Sequence, residues 1–412
     1  MSVVRVLFFL FVSGVAHYVA ANWLLSTMPA EMRARRRRVV LGTAAVLALL
    51  LAGARVLSTT VETAFTRTLV AVMMLELAAV VIALMPIGVI TLVGRGIGVL
   101  QRGSESESES ESESESGRER KSESESGSTG EVISRRHAIE RVAGVGLFGA
   151  TSVALGWGMV RGRHAFALEE VVVRVNGWPR ALEGYTIAQV SDIHVGAFVG
   201  DRELDEGFEL VRKIRPDLVV ATGDLVDFDA AVTGALGLRL AGVAARDGAY
   251  AILGNHDHYA GPAEVVSRLE AMKVRVLCNE MVRIRGADGG GFALLGVDDM
   301  QGRSGRTPGF DGPDLYAAMK GLDRDVPRIL LAHQPRFFDE SNGRVALQLS
   351  GHTHGGQINP GFKPAELFLD YIAGRYERGS STLWVNRGFG VAGPPSRVGA
   401  PPEVTKIVLV GA

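Results

Sequence analysis

Thr186-Ile187-Ala188-Gln189-Val190-Ser191-Asp192-Ile193-His194 joins a short β-branched run to an Asp-x-His pair. The run has the length of a buried strand, and the polar pair falls just past its end. The arrangement then repeats. Leu218–Ala221 precedes Gly223-Asp224, and Ala249–Leu253 precedes Gly254-Asn255-His256-Asp257. Arg328–Leu331 precedes Ala332-His333, and Leu347–Leu349 precedes Gly351-His352-Thr353-His354. Runs at Ala293–Val297, Leu383–Val385 and Thr405–Val410 complete the strand set, with helical spacing over Leu204–Ile214 and Ala263–Met272 between them. Strands alternating with helices predict an α/β fold, in which functional side chains collect beyond the strand ends.

Six of the nine histidines lie in or beside these motifs. Imidazoles cluster at a cost unless a cation or a proton-transfer task offsets it. Two adjacent divalent ions around an activated water need a shared carboxylate plus nitrogen and oxygen donors that leave one position open. Asp224 suits the shared role. Asp192 and His194, two apart on a segment that reads as extended, are expected to face one side, and His352 with His354 repeats the spacing. Asn255 and His333 complete a donor set without thiolate, which favours Mn²⁺, Fe or Zn²⁺. Taken singly, each motif reads as a turn or loop. Their joint appearance at successive strand ends reverses that reading. Asp227, Asp298 and Asp299 read as loop-shaping, and His258 as either pocket lining or surface.

With these five motifs in order, residues from about 185 to 410 resemble the calcineurin-like metallophosphoesterases. Gly351-His352-Thr353-His354-Gly355-Gly356-Gln357 is similar to the extended motif of their membrane-associated branch, as are Asn386-Arg387-Gly388-Phe389-Gly390 and Pro401-Pro402-Glu403-Val404. Pro395-Ser396-Arg397-Val398 is more polar than that branch's pattern. The resemblance implies a four-layer sandwich, two β-sheets flanked by helices. It also implies that Asp192, His194, Asp224 and His354 hold one metal and that Asp224, Asn255, His333 and His352 hold the second. His256 would donate to the phosphate or leaving-group oxygen, with Asp257 orienting it.

The N-terminal third differs in kind. Apolar runs at about 3–25, 39–57 and 68–94 each approach the roughly 20 residues a helix needs to cross a bilayer, and a fourth spans about 142–160. The expected division is a three-helix transmembrane region at 1–102, a disordered linker at 103–130, a fourth helix or twin-arginine-like signal at 131–164, and the metallophosphoesterase domain at 165–412. The linker carries nine glutamates against Arg118, Arg120 and Lys121, with Ser and Glu alternating from Ser104 to Ser116, too polar to bury a core. Ser134-Arg135-Arg136-His137 before the fourth run, and Ala165-Phe166-Ala167 after it, resemble an export signal with its cleavage site. Retention as a fourth span is the default expectation. Arg33 and Arg35–Arg38 hold the first loop in the cytoplasm, so the N-terminus starts outside and the domain is delivered to the extracytoplasmic face of the cell membrane. His17 and Glu76, ionisable groups inside spans, read as bundle-packing or interfacial.

A single cysteine, Cys278, excludes an intrachain disulfide framework, and Arg275-Val276-Leu277-Cys278 reads as a buried strand. No basic stripe argues for nucleic acid. The expected activity is hydrolysis of a phosphoester, a diester in the first instance, by a hydroxide bridging two metals. Membrane tethering suggests a lipid-linked substrate. A lipid-precursor hydrolase acting on UDP-2,3-diacylglucosamine is the alternative, although that nucleotide is cytoplasmic. A non-catalytic membrane sensor would have tolerated loss of Asn255 or His256, and a β-lactamase-type hydrolase would need a His-x-His-x-Asp-His cluster the sequence lacks.

Overall fold

The computed structural model describes residues 3–60, 63–109, 135–284 and 290–412, and divides into two compact units, Met1–Val153 and Ala154–Ala412. The first contains helices α1 (Val3–Ser26), α2 (Ala30–Thr60), α3 (Ala64–Glu109) and most of α4 (Arg135–Val160). Val6–Ser26, Ala30–Leu57, Phe65–Gly88 and Ala138–His164 are long and apolar enough to cross a membrane. Phe8, Phe11, Val39 and Leu49 stand exposed, as lipid-facing side chains do. Inside the unit, His17 Nε2 lies 2.9 Å from Glu76 Oε1 and its Nδ1 lies 2.7 Å from Ser13 O. These two residues thus tie α1 to α3, as the bundle-packing reading expects. The helix α3 continues through residues 103–109, so the first part of the expected linker is helical. The remainder of that expectation, residues 110–130, lies outside the described residues.

The second unit is built on twelve strands. One sheet runs β1 (Ala167–Val175), β12 (Glu403–Gly411), β2 (Tyr185–Val190), β3 (Leu218–Thr222), β4 (Ala249–Ile252), β5 (Arg275–Val276). The other runs β10 (Gly374–Arg378), β11 (Ser381–Val385), β9 (Leu347–Ser350), β8 (Arg328–Leu331), β7 (Phe292–Gly296), β6 (Glu280–Ile284). Both are mixed, with β2, β3, β4 and β5 parallel in the first and β7, β8, β9 and β11 parallel in the second. Alternate side chains explain the layering. Ile187, Val220 and Ile252 of one sheet pack with Leu294, Leu331 and Leu349 of the other in a shared core. The opposite face of the first sheet, through Val190, Val219 and Ala251, covers Leu204 and Phe208 of α5 (Asp201–Ile214), Leu236 of α6 (Thr233–Ala241), and Leu269 of α8 (Pro262–Ala271), which follows the short α7 (Asn255–Ala260). The outer face of the second sheet packs Leu295 and Leu330 against Leu315 of α9 (Leu315–Ala318) and Phe337, just before α10 (Phe338–Ser341). The result is helix, sheet, sheet, helix.

The expected strand at Arg275–Cys278 is shorter than its apolar run, since only Arg275 and Val276 pair, with β4. Cys278 lies half-buried beyond the pairing, and burial, with Asp298, Glu280 and Asp311 nearby, pushes its thiol up to about 12. It is protonated at neutral pH.

Candidate metal centre

Each site motif begins where a strand ends, and backbone hydrogen bonds lace the exits together. Asp192 N donates to Gly223 O at 3.0 Å, His194 N to Asp224 O at 3.0 Å, and Gly351 N to His333 O at 3.0 Å. Gln189 bridges the two sheets below the site, its Nε2 donating to Thr222 Oγ1 and Ser350 O. The side chains do not converge through strand pleating, as the two-residue spacing suggests. Asp192, His194, Asp224, His352 and His354 all have φ between 49° and 72°, in the left-handed region. Such backbone costs about 1–3 kcal/mol per residue and persists where the surroundings over-determine it. Five turned residues here aim donors at one place.

Two groups of donors result. Ligand atoms of Asp192, His194 and His354 lie within 4.8 Å of one another, as do those of Asp224, His333 and His352. Asp224 links them, its Oδ2 3.6 Å from His194 Nε2 and 3.3 Å from His333 Nε2. His333 Nδ1 donates to Thr222 O at 2.8 Å, which fixes the ring with Nε2 towards Asp224; burial pulls its pKa down, but Asp224 carries it well above the ordinary value. His352 N donates to both carboxylate oxygens of Asp192, and His256 N to Asp224 Oδ1. Close approach leaves no room for side chains at the glycines between. A Cβ on Gly351 would fall 1.9 Å from Ser191 Oγ, and one on Gly223, already at φ 88°, 2.6 Å from His333 Nδ1.

The donor set fits cations. His194 Nε2 and His354 Nε2 stand 3.1 Å apart, and His333 Nε2 and His352 Nδ1 3.2 Å, so in each pair two ring nitrogens face one another across a gap that a shared proton or a cation can fill. Asn255 Oδ1 is buried without a hydrogen-bond partner, the condition of an amide oxygen reserved for a metal. Charge follows. Burial opposes ionisation of Asp224, yet His333, His194 and His256 hold its carboxyl well below the usual range. Burial, Arg397 and His194 keep His354 well below the ordinary imidazole value, and burial with His333 lowers His352. Both imidazoles are therefore neutral donors at pH 7.

His256 stands apart. Its Nδ1 is 3.1 Å from Asp227 O and 3.2 Å from Asp227 Oδ1, and its ring meets those of Phe228 and Tyr259. Burial pulls its pKa down, but Asp227 and Asp224 together carry it above the ordinary value. Two expectations are corrected here. Asp257 does not orient His256. Its carboxylate is consumed by the backbone N–H groups of Gly254, Leu225 and Val226, so it locks the two loops together, and burial and Asp224 raise its pKa to about 6. Asp227, read as loop-shaping, takes the orienting role, and with His194 and His256 forms a third cluster of donors. Its carboxyl, despite burial, is lowered to about 2 by His194 and His256. The signal was its place three residues beyond Asp224 in the same loop. His258 Nε2 bonds Asp298 Oδ1 at 2.8 Å, and Asp298 also accepts from Gly312 N and Asp299 N, a loop clasp.

Arg397 is the second residue that sequence reasoning passed over. It is 1% exposed and donates to the carbonyls of Arg387, Gly388, Gly390, His354 and Ala400, and from Nη2 to His354 Nδ1 at 3.0 Å. Burial brings its guanidinium down to about 9, still a cation at neutral pH. The polar departure at Pro395–Val398 is thus a buried clamp behind His354.

A two-sheet sandwich with histidines, aspartates and an asparagine gathered at its strand ends defines a metallophosphoesterase. The family profile of calcineurin-like phosphoesterases matches residues 185–356, and the chain belongs to that family. It is 32% identical over 296 residues to a zebrafish (Danio rerio) transmembrane protein with metallophosphoesterase domain, covering 68% of this chain and 67% of that one. The bovine (Bos taurus) protein of the same description is 34% identical over 272 residues, covering 64% and 61%. An uncharacterized metallophosphoesterase of Bacillus subtilis is 31% identical over 287 residues, covering 67% of this chain and 98% of that one.

Proposed function

We propose that this chain is a membrane-anchored, dinuclear-metal phosphoesterase that hydrolyses phosphodiesters, with its catalytic unit on the extracytoplasmic face. Asp192, His194, Asp224 and His354 would hold one ion, and Asp224, Asn255, His333 and His352 the other. The observation that carries the reading is the convergence of two donor groups on one carboxylate, Asp224, beside a buried and unsatisfied Asn255 Oδ1. When bound, the cations supply Lewis-acid activation of water and neutralise charge on the transferring phosphoryl group. The chain's own residues do the rest. Asp227 holds His256 at Nδ1 and favours its protonated form, so Nε2 is free to donate a proton to the departing alkoxide. Asp257 fixes the loops that present Asp224 and His256. The arginines at 33 and 35–38 support the sidedness. Retention of the fourth span is supported by Leu155, which is buried and accepts from Ser396 Oγ at 2.9 Å.

The test is metal analysis of the purified full chain beside assays on a soluble diester and a monoester, repeated with His256→Ala. Two equivalents of metal, preference for the diester, and loss of turnover without loss of metal in the variant are expected. An equally active His256→Ala would remove the acid from the mechanism.

A further inference from the structure

Eight residues after His354 the chain exposes an unusual amount of apolar surface. Phe362 is 52% exposed, Leu367 73%, Phe368 78% and Leu369 45%, four large side chains within eight positions. Among the described residues of this unit, no other eight-residue stretch exposes as many large apolar side chains. A contiguous patch of this kind marks an interaction surface. The segment is not loosely attached. Ala365 lies against Gly356 of the metal motif, where a Cβ would meet it at 3.4 Å, and a short helical turn over Pro364–Leu367 is followed by Phe368 N and Leu369 N donating to Ala365 O.

The occupant is indicated by what adjoins the segment. Val398 N donates to Gln357 O and Asn359 N to Val398 O, so the strip entering the patch is paired with the loop of Arg397. That loop in turn touches the end of α4, with Arg397 N donating to Gly158 O and Ser396 Oγ to Leu155 O. Residues 155–158 belong to the apolar stretch Ala138–His164, and Trp157 and Arg161 stand exposed on it, as residues that mark a membrane–water boundary do. Phe362 follows Asn359 by three residues, so its Cα lies within about 11 Å of it. The patch therefore lies near the C-terminal end of α4, and Lys363 within it is paired with Glu366 at 3.2 Å, so its apolar side chains rather than a free cation would carry the contact.

We infer that Phe362–Leu369 inserts into the membrane interface beside α4 and holds the metal centre at the bilayer surface. On the phosphoesterase reading given above, the substrate is then an amphiphile whose phosphoester lies in the headgroup layer.

The full chain, reconstituted in vesicles of phosphatidylcholine and phosphatidylglycerol, tests this with the fluorophore NBD on one cysteine. Phe368→Cys in a Cys278→Ser background is compared with Leu238→Cys, an exposed apolar position on α6. Insertion predicts blue-shifted emission at 368, lost in large part to nitroxide on lipid chains and protected from aqueous iodide, with the reverse at 238. Equal access of iodide to both positions overturns the inference. Protection at 368 that ignores lipid nitroxide and grows with protein density also overturns it, since a second copy would then cover the patch. Neither readout depends on turnover, so failure of the phosphoesterase reading would appear separately. In a second arm, Leu367→Ser with Phe368→Ser is expected to slow hydrolysis of a vesicle-embedded phosphodiester several-fold while a soluble diester is cleaved at the parental rate. Equal slowing of both, or of neither, overturns the substrate assignment.

Discussion

Asp192, His194 and His354 are all buried, whereas His352, grouped with Asp224 and His333, keeps an open face to solvent although its ring is crowded enough for burial to lower its pKa. The enclosed group is backed by Arg397, by the 388–390 loop and by Phe389 N and Gly390 N, which donate to Ser191 O and Asp192 O. In the second group Asp224 and His333 are buried, and His352 is the member that meets solvent. An ion in the first would be part of the fold, released only when loops part. An ion in the second would exchange with solvent and meet the substrate. On the reading proposed above, a shared carboxylate would join one structural position to one working position.

Asp224→Ala attacks what the two groups have in common. It strips the link between His194 and His333 and leaves His256 N without its acceptor. Metal content should fall from two equivalents to none, and kcat/KM by about 10³-fold or more. A variant that keeps a full equivalent would show that the groups do not depend on a common ligand. His256→Ala lies outside both groups and should lower kcat by about 10²-fold or more with both metals retained.

The enclosure itself is tested by chelation. Two kinetic phases of metal release are expected, the faster one abolished in His352→Ala and the slower in His354→Ala. A single phase in the parent would break the distinction. Arg397→Lys sharpens it: the cation remains but the fork that binds five carbonyls and His354 Nδ1 does not. Affinity for the slow ion should fall by about 10–100-fold, as it does when outer partners of a ligand are removed, with the fast ion little changed. Competition with a fluorescent metal indicator reads both.

Much of the fold and of the candidate ligand set was legible in the sequence, although the contrast between the two groups was not. Strand runs at Thr186–Val190, Leu218–Ala221 and Leu347–Leu349 were visible because parallel strands buried on both faces are continuously apolar. The candidate ligand residues were visible because each follows such a run. What periodicity could not show were interactions made by single residues across long separations. Arg397 looked like an intrusion of charge because its partners, the carbonyls of residues 354 and 387–400, are backbone atoms that no side-chain pattern encodes. Asp227 and Asp257 look alike in sequence, and only the fold decides which meets an imidazole and which meets three amides. β1, β6 and β10 were missed because edge strands such as Glu169–Arg174, Glu280–Ile284 and Arg375–Arg378 carry charge. The left-handed turns were missed because Asp and His lack the glycine signature of that region.

The smallest effect separates His256 from the metal groups by pH. If His256 donates its proton, activity falls as pH rises through its pKa, and Asp227 together with Asp224 raises that pKa against the pull of burial. Asp227→Asn removes one of those charges but keeps the backbone carbonyl that contacts Nδ1 at 3.1 Å, so orientation should largely survive. The alkaline limb of kcat/KM should therefore move to lower pH, with only a few-fold loss near pH 7. Bound cations push His256 in the same direction in both proteins, so the displacement between variant and parent isolates Asp227. An alkaline limb that stays in place while metal content falls would instead make Asp227 a ligand, and would attach the third cluster, His194 with Asp227 and His256, to the enclosed group.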